Sequence, residues 1–537
     1  MRKGFMVVRL GKFSLRFGAW LVLLLSLAAA AGPAVADTLG AIKAKGLIVW
    51  GADQEGGAPF VYPSENDKSQ IAGFEVDLAA VLAQRLGVKA QFFQGSWDQM
   101  PALLETRKVD IVLNGYEWTA PRLEAMAATI PYYVYGLQLL TRDDNETVKT
   151  IDDLKTPGPH GKWRVGVLSG SAADDYMRQH FAGSVEVVPY DGNTDAMGDV
   201  EIGRLHATLQ DTPIVAYYGP KYPRLRKIGA PVGHGYYVIY AHRDDATLVA
   251  ALNDVLITLI RDGTLERIYR KHGIWDDAQR ELLRLADTGR FYGYQRPALA
   301  ELKPTTPEPT ASVTAPAGRT VPGFADSAWL LVEAAGMTVV LAVISFPLAS
   351  ILGLLIAVGR LYGPNWLRPV LVVYVEFLRG TPVLLQLYFI FFFLPVVGIN
   401  VPAFWTAIAG LAINYSAYES EIYRAGIQAI PRGQMEGALS LGISRWLALR
   451  HVVVPQATRI VLPPIINDFI ALFKDTSVCS VITLVELTKQ FSILSRSDPQ
   501  SIAYLMGITA LLYVLMSYPT SRLARYVEKR LAAAHAR

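Results

Sequence analysis

Two groups of residues in this chain carry polar chemistry. In the first half Glu117 and Arg122 fall within the run Asn114-Gly115-Tyr116-Glu117-Trp118-Thr119-Ala120-Pro121-Arg122, Ser171 follows Gly170, and Asp211 follows Gln210. These side chains supply a forked cationic donor, a hydroxyl and carboxylate acceptors. Taken singly, they read as a surface arginine near an acid, a turn serine and a helix-capping aspartate. In the second half Asn414, Glu419, Glu421, Asn467 and Asp468 interrupt apolar stretches. Such groups are expensive in hydrocarbon and must face protein, water or the membrane boundary. They either line a route through the membrane or make interhelical hydrogen bonds. Other chemistries are excluded. The single cysteine, Cys479, allows neither an internal disulfide nor a thiolate metal cluster. No Gly-x-x-x-x-Gly-Lys-Ser/Thr phosphate loop occurs, so no bound cofactor is expected and ATP hydrolysis is not expected of this chain. The formal net charge is +4 over 537 residues, and the five basic residues among the first 36 more than account for it. Nucleic acid is therefore not an expected partner.

The elements that must hold these residues divide the chain. Residues 1–36 read as an export signal: basic residues, the apolar run Ala19–Ala31, then Ala34-Val35-Ala36 before Asp37. An uncleaved anchor is the alternative. In residues 37–290 short β-rich runs (Leu47–Gly51, Val109–Asn114, Arg164–Leu168, Val185–Tyr190) alternate with amphipathic stretches such as Glu75–Leu86 and Leu248–Ile260. That alternation predicts an α/β domain around a mostly parallel sheet. Residues 291–325 form a linker, rich in proline from 297 onward. Residues 326–537 predict an all-α membrane domain of about five transmembrane helices, near Trp329–Gly359, Pro382–Gly398, Ala403–Ala417, Val452–Phe473 and Ile502–Tyr518. The third must run on through Glu419 and Glu421 toward Arg424. Basic residues cluster after the first and third spans and in the tail, while the turn Pro395–Pro402 has none. The positive-inside rule then puts the first domain outside the cell and the C-terminus in the cytoplasm, in a multi-pass protein of the plasma (inner) membrane surrounded by lipid.

The run Gly73-Phe74-Glu75-Val76-Asp77-Leu78, with Ala58-Pro59-Phe60, Trp97-Asp98, the Asn114–Arg122 turn, Val165–Ser171 and Gln210-Asp211, resembles the extracytoplasmic solute-binding proteins of polar amino-acid ABC transporters. The resemblance implies a bilobal fold, with lobe one at about 37–140 and 241–290 and lobe two at about 141–240. It also implies hinge strands near Leu140–Thr141 and Val238–Ala241. It assigns Arg122 to the α-carboxylate of a free amino acid, Ser171 to the same carboxylate from the second lobe, and Asp211 to the α-ammonium. Gly115 belongs to the same turn, and Phe60 and Trp97 are candidate apolar walls. Three departures stand out: Glu117 where the family has small polar residues, Gly57 where an aromatic is frequent, and Ala172 in place of a threonine. Glu117 either contacts a cationic group of the ligand or pairs with Arg122.

Phe377-Leu378-Arg379-Gly380-Thr381-Pro382 with Leu384-Leu385-Gln386, and Glu436-Gly437-Ala438-Leu439-Ser440-Leu441-Gly442-Ile443-Ser444 before Val454-Pro455-Gln456-Ala457, resemble the permease subunits of the same transporters. The resemblance makes Glu436, Gly437, Ala438 and Gly442 a cytoplasmic coupling segment, with Gly437 where alanine is usual. Glu436–Ser440 reads as a short helix and Gly442 as a turn. Asn414, Glu419, Asn467 and Asp468 are candidates for the translocation path, and Pro463-Pro464 is expected to break its helix. The resulting expectation is a non-enzymatic importer subunit that uses ATP through a separate ATPase and pairs with a second permease copy or a related permease. A ligand-gated channel, an amino-acid sensor and a dehydratase-like periplasmic enzyme are the rival readings on the same fold.

Overall fold

The computed structural model describes residues 38–533 apart from 56, 65, 66, 160, 289, 292, 293, 296–323 and 498–500. The expected export signal and nearly all of the linker lie outside the described residues. The first lobe holds α1 (Thr38–Lys45), β1 (Leu47–Ala52), the hairpin β2 (Tyr62–Pro63) and β3 (Ile71–Ala72), α2 (Phe74–Leu86), β4 (Lys89–Gln94), α3 (Met100–Glu105), β5 (Ile111–Val112) and α4 (Ala120–Ala125). β1 pairs in parallel with both β4 and β5, as strand–helix alternation requires. α2 shows how local sequence sets the element. At Gly73 φ is 142° and a Cβ would lie 1.8 Å from the Phe60 carbonyl oxygen, so only glycine fits the entry. Leu78 and Leu82 then lie one turn apart on the buried face, and Gly87 closes the helix in the left-handed conformation.

β6 (Met126–Arg142) leaves the first lobe and β10 (Leu225–His242) returns to it. Between them lies the second lobe: β7 (Trp163–Leu168), α5 (Ala172–Phe181), β8 (Val185–Tyr190), α6 (Asn193–Glu201), β9 (Ala207–Asp211) and α7 (Thr212–Tyr218). The sheet runs continuously in the order β4-β1-β5-β10-β6-β9-β7-β8. Leu140 and Thr141 pair with Thr208 and Ala207 inside lobe two, while Tyr240 and Ala241 pair with Val112 and Ile111 inside lobe one. The passage between lobes therefore falls at about Tyr133–Leu137 and Val232–Val238, where the β6–β10 register shifts repeatedly. α8 (Ala246–Arg261), α9 (Thr264–Lys271) and α10 (Arg280–Thr288) complete the domain, with Leu252, Leu256, Ile268 and Leu282 in its core.

The second half consists of α11 (Phe324–Tyr362), α12 (Leu367–Gly380), α13 (Val383–Tyr388, its helical path continuing to Val397), α14 (Ala403–Gln428), α15 (Arg432–Ser440), α16 (Arg445–Ala448), α17 (Val454–Asp475), α18 (Leu487–Ser497) and α19 (Ile502–Ala533). All five stretches expected to span are helical. Among the described residues α11 and α19 are long and apolar enough to cross a bilayer, and α12 with Val383–Val397 makes a bent pair at 108°. α14 continues through Glu419 and Glu421 to Gln428, as its short apolar run demanded. Pro463 and Pro464 do not break their helix, because α17 runs straight through both. A proline costs its helix an N–H donor, but its fixed φ is helical, and neighbouring helices hold the segment in place. Ile351, Leu355, Val373, Phe377, Leu511 and Leu515 point outward from this half. So much exposed apolar surface suits lipid rather than water.

Candidate functional site

The cavity between the lobes is lined by Phe60, Trp97, Asn114, Gly115 and Glu117 from lobe one and by Ser171, Leu209, Gln210, Asp211 and Ile214 from lobe two. Six of the seven residues expected at the site therefore line a common cavity, and Arg122 joins them through Glu117. Gly115 carries φ 61°, and a Cβ there would meet the Phe60 ring at 2.7 Å. Phe60 in turn packs edge-on against Tyr237 with ring centroids 5.5 Å apart. Trp97 lies 4.7 Å from the Tyr116 ring, and the Arg122 guanidinium carbon sits 5.1 Å from the Trp97 centroid and 4.6 Å from that of Tyr116. The two rings form a platform that fixes the guanidinium plane.

Of the two readings open for Glu117, the structure displays the pairing with Arg122. Arg122 Nη1 donates to Glu117 Oε2 at 2.5 Å, and Arg122 Nη2 donates to the Gly170 carbonyl at 3.1 Å across the cleft. The other carboxylate oxygen of Glu117 accepts from the Ala172 backbone N–H at 2.9 Å, at the start of α5. A carboxylate thus sits on a guanidinium and a helix N-terminal amide, the donor set suited to any carboxylate in this cleft. Burial works against the charge of Arg122, yet Glu117 more than offsets it and holds the pKa above its ordinary value. Ser171 is the N-cap of α5: its Oγ accepts from the Asp174 N–H and donates to the Leu168 carbonyl.

Asp211 occupies the N-cap position of α7 but makes no side-chain capping bond there. Its carboxyl instead accepts a hydrogen bond from the Tyr237 hydroxyl. Burial, reinforced by the charge of Glu117, pushes its pKa up to about 8. A half-buried acid of that kind gains most from a cation placed beside it.

Sequence reading missed several residues. Glu75 of the Gly73–Leu78 run is fully buried and accepts from the Gly115 N–H at 2.8 Å and from the Tyr132 hydroxyl, so it anchors the turn that carries Glu117. Burial raises its pKa to about 8, partly countered by those bonds. Asp53, Glu55 and Asp191 also line the cavity, so with Glu117 and Asp211 five of the described lining residues are carboxylates and none is basic. Gly57, noted as a departure, has a structural cause: a Cβ there would lie 2.2 Å from the Asp53 carbonyl oxygen, which excludes an aromatic.

In the membrane half Asn414 donates to Gln386 at 3.2 Å, and Gln386 donates to Leu378 and Thr381 across the bend between α12 and α13. Asn414 thus makes an interhelical bond that steadies the bend. Glu419 is buried on α14, where a Cβ on Gly353 of α11 would meet its Cβ at 2.6 Å, and it lies within electrostatic range of Asp468 on α17. Asn467 is exposed. The segment expected to couple to an ATPase has the helix-and-turn form read from its residues: Glu436, Gly437 and Ala438 lie in α15, Gly442 turns at φ 78°, and Ser444 caps α16.

A two-lobed cleft with an arginine and a half-buried aspartate, joined to a helical membrane part, defines a binding domain carried by its own permease. Residues 48–274 match the bacterial extracellular solute-binding proteins, family 3, and residues 349–533 match the binding-protein-dependent transport system inner membrane component. The membrane part is 35% identical over 194 residues to the L-cystine transport system permease protein TcyB of Bacillus subtilis, covering 36% of this chain and 83% of that one. It is 34% identical over 204 residues to the glutamine transport system permease protein GlnP of Escherichia coli, covering 38% and 93%. Among solved structures, holo ArgBP from T. maritima aligns at 28% identity and TM-score 0.38, covering 43% of this chain and 99% of that one. The chain belongs to the amino-acid ABC transporter permeases and carries a fused family 3 solute-binding domain. It is a membrane protein and a transport component.

Proposed function

We propose that this chain captures a polar amino acid outside the cell and passes it through a membrane path that a separate ATPase drives. The observation that carries the reading is the cleft itself: Arg122, on its aromatic platform and paired with the lining residue Glu117, and Asp211, half-buried and faced by Glu117, stand on opposite lobes. The α-carboxylate takes the donors now held by Glu117, and the α-ammonium takes Asp211 with the Tyr237 hydroxyl beside it. Ligand that touches both lobes favours the closed form. Relatives named for cystine and glutamine transport support an amino-acid substrate.

Residues 1–36 serve as the export signal, 37–290 as the extracytoplasmic domain, 291–325 as the linker and 326–537 as the permease. Placement of the binding domain outside is supported by Lys108, which donates to Asn400 at 2.9 Å and to the Val401 carbonyl at 3.3 Å, in the turn that carries no basic residue. The opposite end of α14 holds Arg424, paired with Glu421, which also pairs with Arg360 of α11. There Leu441, just past the end of α15, and Trp446 and Leu447 of α16 are exposed, an apolar surface fit to seat in a groove of the ATPase. A second copy of the permease completes the pathway, to which Glu419 and Asp468 contribute.

Calorimetry on the full chain in lipid nanodiscs, titrated with each of the common amino acids, tests the reading. Arg122→Ala and Asp211→Ala are each expected to weaken binding at least 100-fold, about 3 kcal/mol. Binding that survives both substitutions intact rejects the site.

A further inference from the structure

The acidic end of the cleft is already in the hands of the membrane part. Glu55 lies in the loop after β1 and lines the same cavity as Asp211 and Glu117. Its carboxylate forms ion pairs with Lys489 and with Arg496, both on α18, and accepts from Ser492 Oγ at 3.2 Å. Arg496 also reaches across the cleft to Asp195 of α6 at 3.3 Å, so one guanidinium ties lobe one to lobe two. It rests on Gly192, another lining residue, where a Cβ would lie 3.4 Å from its Nε. Lys489 is buried, with Nζ also 3.2 Å from Ser96 Oγ. Two cations from the permease thus sit at the mouth of a cavity that has five carboxylates and no basic lining residue of its own.

We propose that Glu55 is the subsite for a positively charged substrate side chain, and that Lys489 and Arg496 are resident competitors that take this carboxylate when the domain is seated on the permease. The inference rests on the amino-acid reading of the cleft and narrows it to amino acids with a cationic side chain. With the α-ammonium on Asp211, a second ammonium or guanidinium finds its counter-charge at Glu55. A carboxylate paired twice, by the buried Lys489 and the half-buried Arg496, has little left to offer a third, and the cations themselves repel it. Seating therefore weakens the hold on a cationic side chain and leaves a neutral one nearly unaffected. Arg496 needs both lobes close together to reach Glu55 and Asp195, so it recognises the closed domain by the same contact that loosens its cargo.

The test is calorimetry on the full chain in nanodiscs with L-lysine, L-arginine and L-glutamine. The double variant Lys489→Gln/Arg496→Gln is expected to bind L-lysine and L-arginine at least tenfold more tightly and L-glutamine within twofold of the unmodified chain. Glu55→Gln is expected to weaken the cationic ligands at least tenfold and to abolish the effect of the double variant. Lys489→Arg, which keeps the charge, is expected to restore the weaker binding when Arg496 is intact. Equal tightening for all three ligands means that the cations only seat the domain, and no change means that they do not compete; either result overturns the proposal. Binding that depends on Asp211 but not on Lys489 or Arg496 leaves the amino-acid reading standing, whereas no binding of any amino acid removes both.

Discussion

Asp211 shows what a residue's surroundings add to its type. Taken alone in the sequence it reads as a helix cap, and the resemblance alone points it to a ligand; the fold shows that its carboxyl makes no capping bond and instead meets Tyr237 in the cleft. With a pKa pushed up to about 8 by burial and by Glu117, the group holds its proton at neutral pH until a cation arrives. An ammonium ligand needs the ionised form, so binding below pH 8 must release that proton. Affinity is then expected to rise as pH climbs from 6 to 8, by up to about tenfold per unit, and to level off above. Asp211→Asn should bind weakly and without that slope. Calorimetry in buffers of different ionisation enthalpy checks both the slope and the proton released; a flat profile for the unmodified chain contradicts the assignment. Arg122, Gly115, Phe60 and Trp97 were legible because their types and order resemble a family. Glu55 and Glu75 were not, because nothing local in Gln54-Glu55 or Phe74-Glu75 says which carboxylate faces a cavity and which is sealed in a core.

Elements were legible where periodicity spoke and less so where a break had to be located. The strand–helix alternation, the short coupling helix and the turn at Gly442 all form as their residues suggest. The passage between lobes fell within two uninterrupted strands, where no turn residue marks it and only pairing partners reveal it. α12 is a separate helix set at 108° to its successor because Thr381-Pro382 breaks the ladder and Gln386 ties the corner. Gly437 offers a test at this scale. It lies inside α15, its φ is not positive, and a Cβ added there would meet nothing within 4 Å. Gly437→Ala is expected to stabilise α15 by about 1 kcal/mol without altering its surface contour. ATP-driven uptake in proteoliposomes with the partner ATPase should be retained or modestly raised. A severe loss would mean that the coupling segment needs a flexible joint at this position rather than a stiff lever.

At the scale of the whole molecule, the binding domain touches the membrane part through scattered polar contacts: Lys68 to Ser327 at 2.7 Å, Gln99 to Tyr388 at 3.1 Å, and the Lys108 and α18 contacts already described. These contacts are few and mostly part-buried, and burying the charges of Glu55, Lys489 and Arg496 costs much of what their pairing gains, so seating of a detached domain is expected to be weak. The covalent linker changes the arithmetic. On the proposed reading of residues 297–325 as a linker, a flexible polypeptide of that length would have a root-mean-square reach on the order of 30 Å. Such a tether holds the domain at an effective concentration of roughly millimolar. A protease site placed in this segment separates the two effects. Cleavage followed by dilution should raise the half-saturation for uptake, while the ligand affinity of the released domain stays that of a domain free of Lys489 and Arg496. Adding back excess domain should restore uptake. If diluted, cleaved protein transports as well as the intact chain, the polar contacts are sufficient alone and the fusion contributes nothing to delivery.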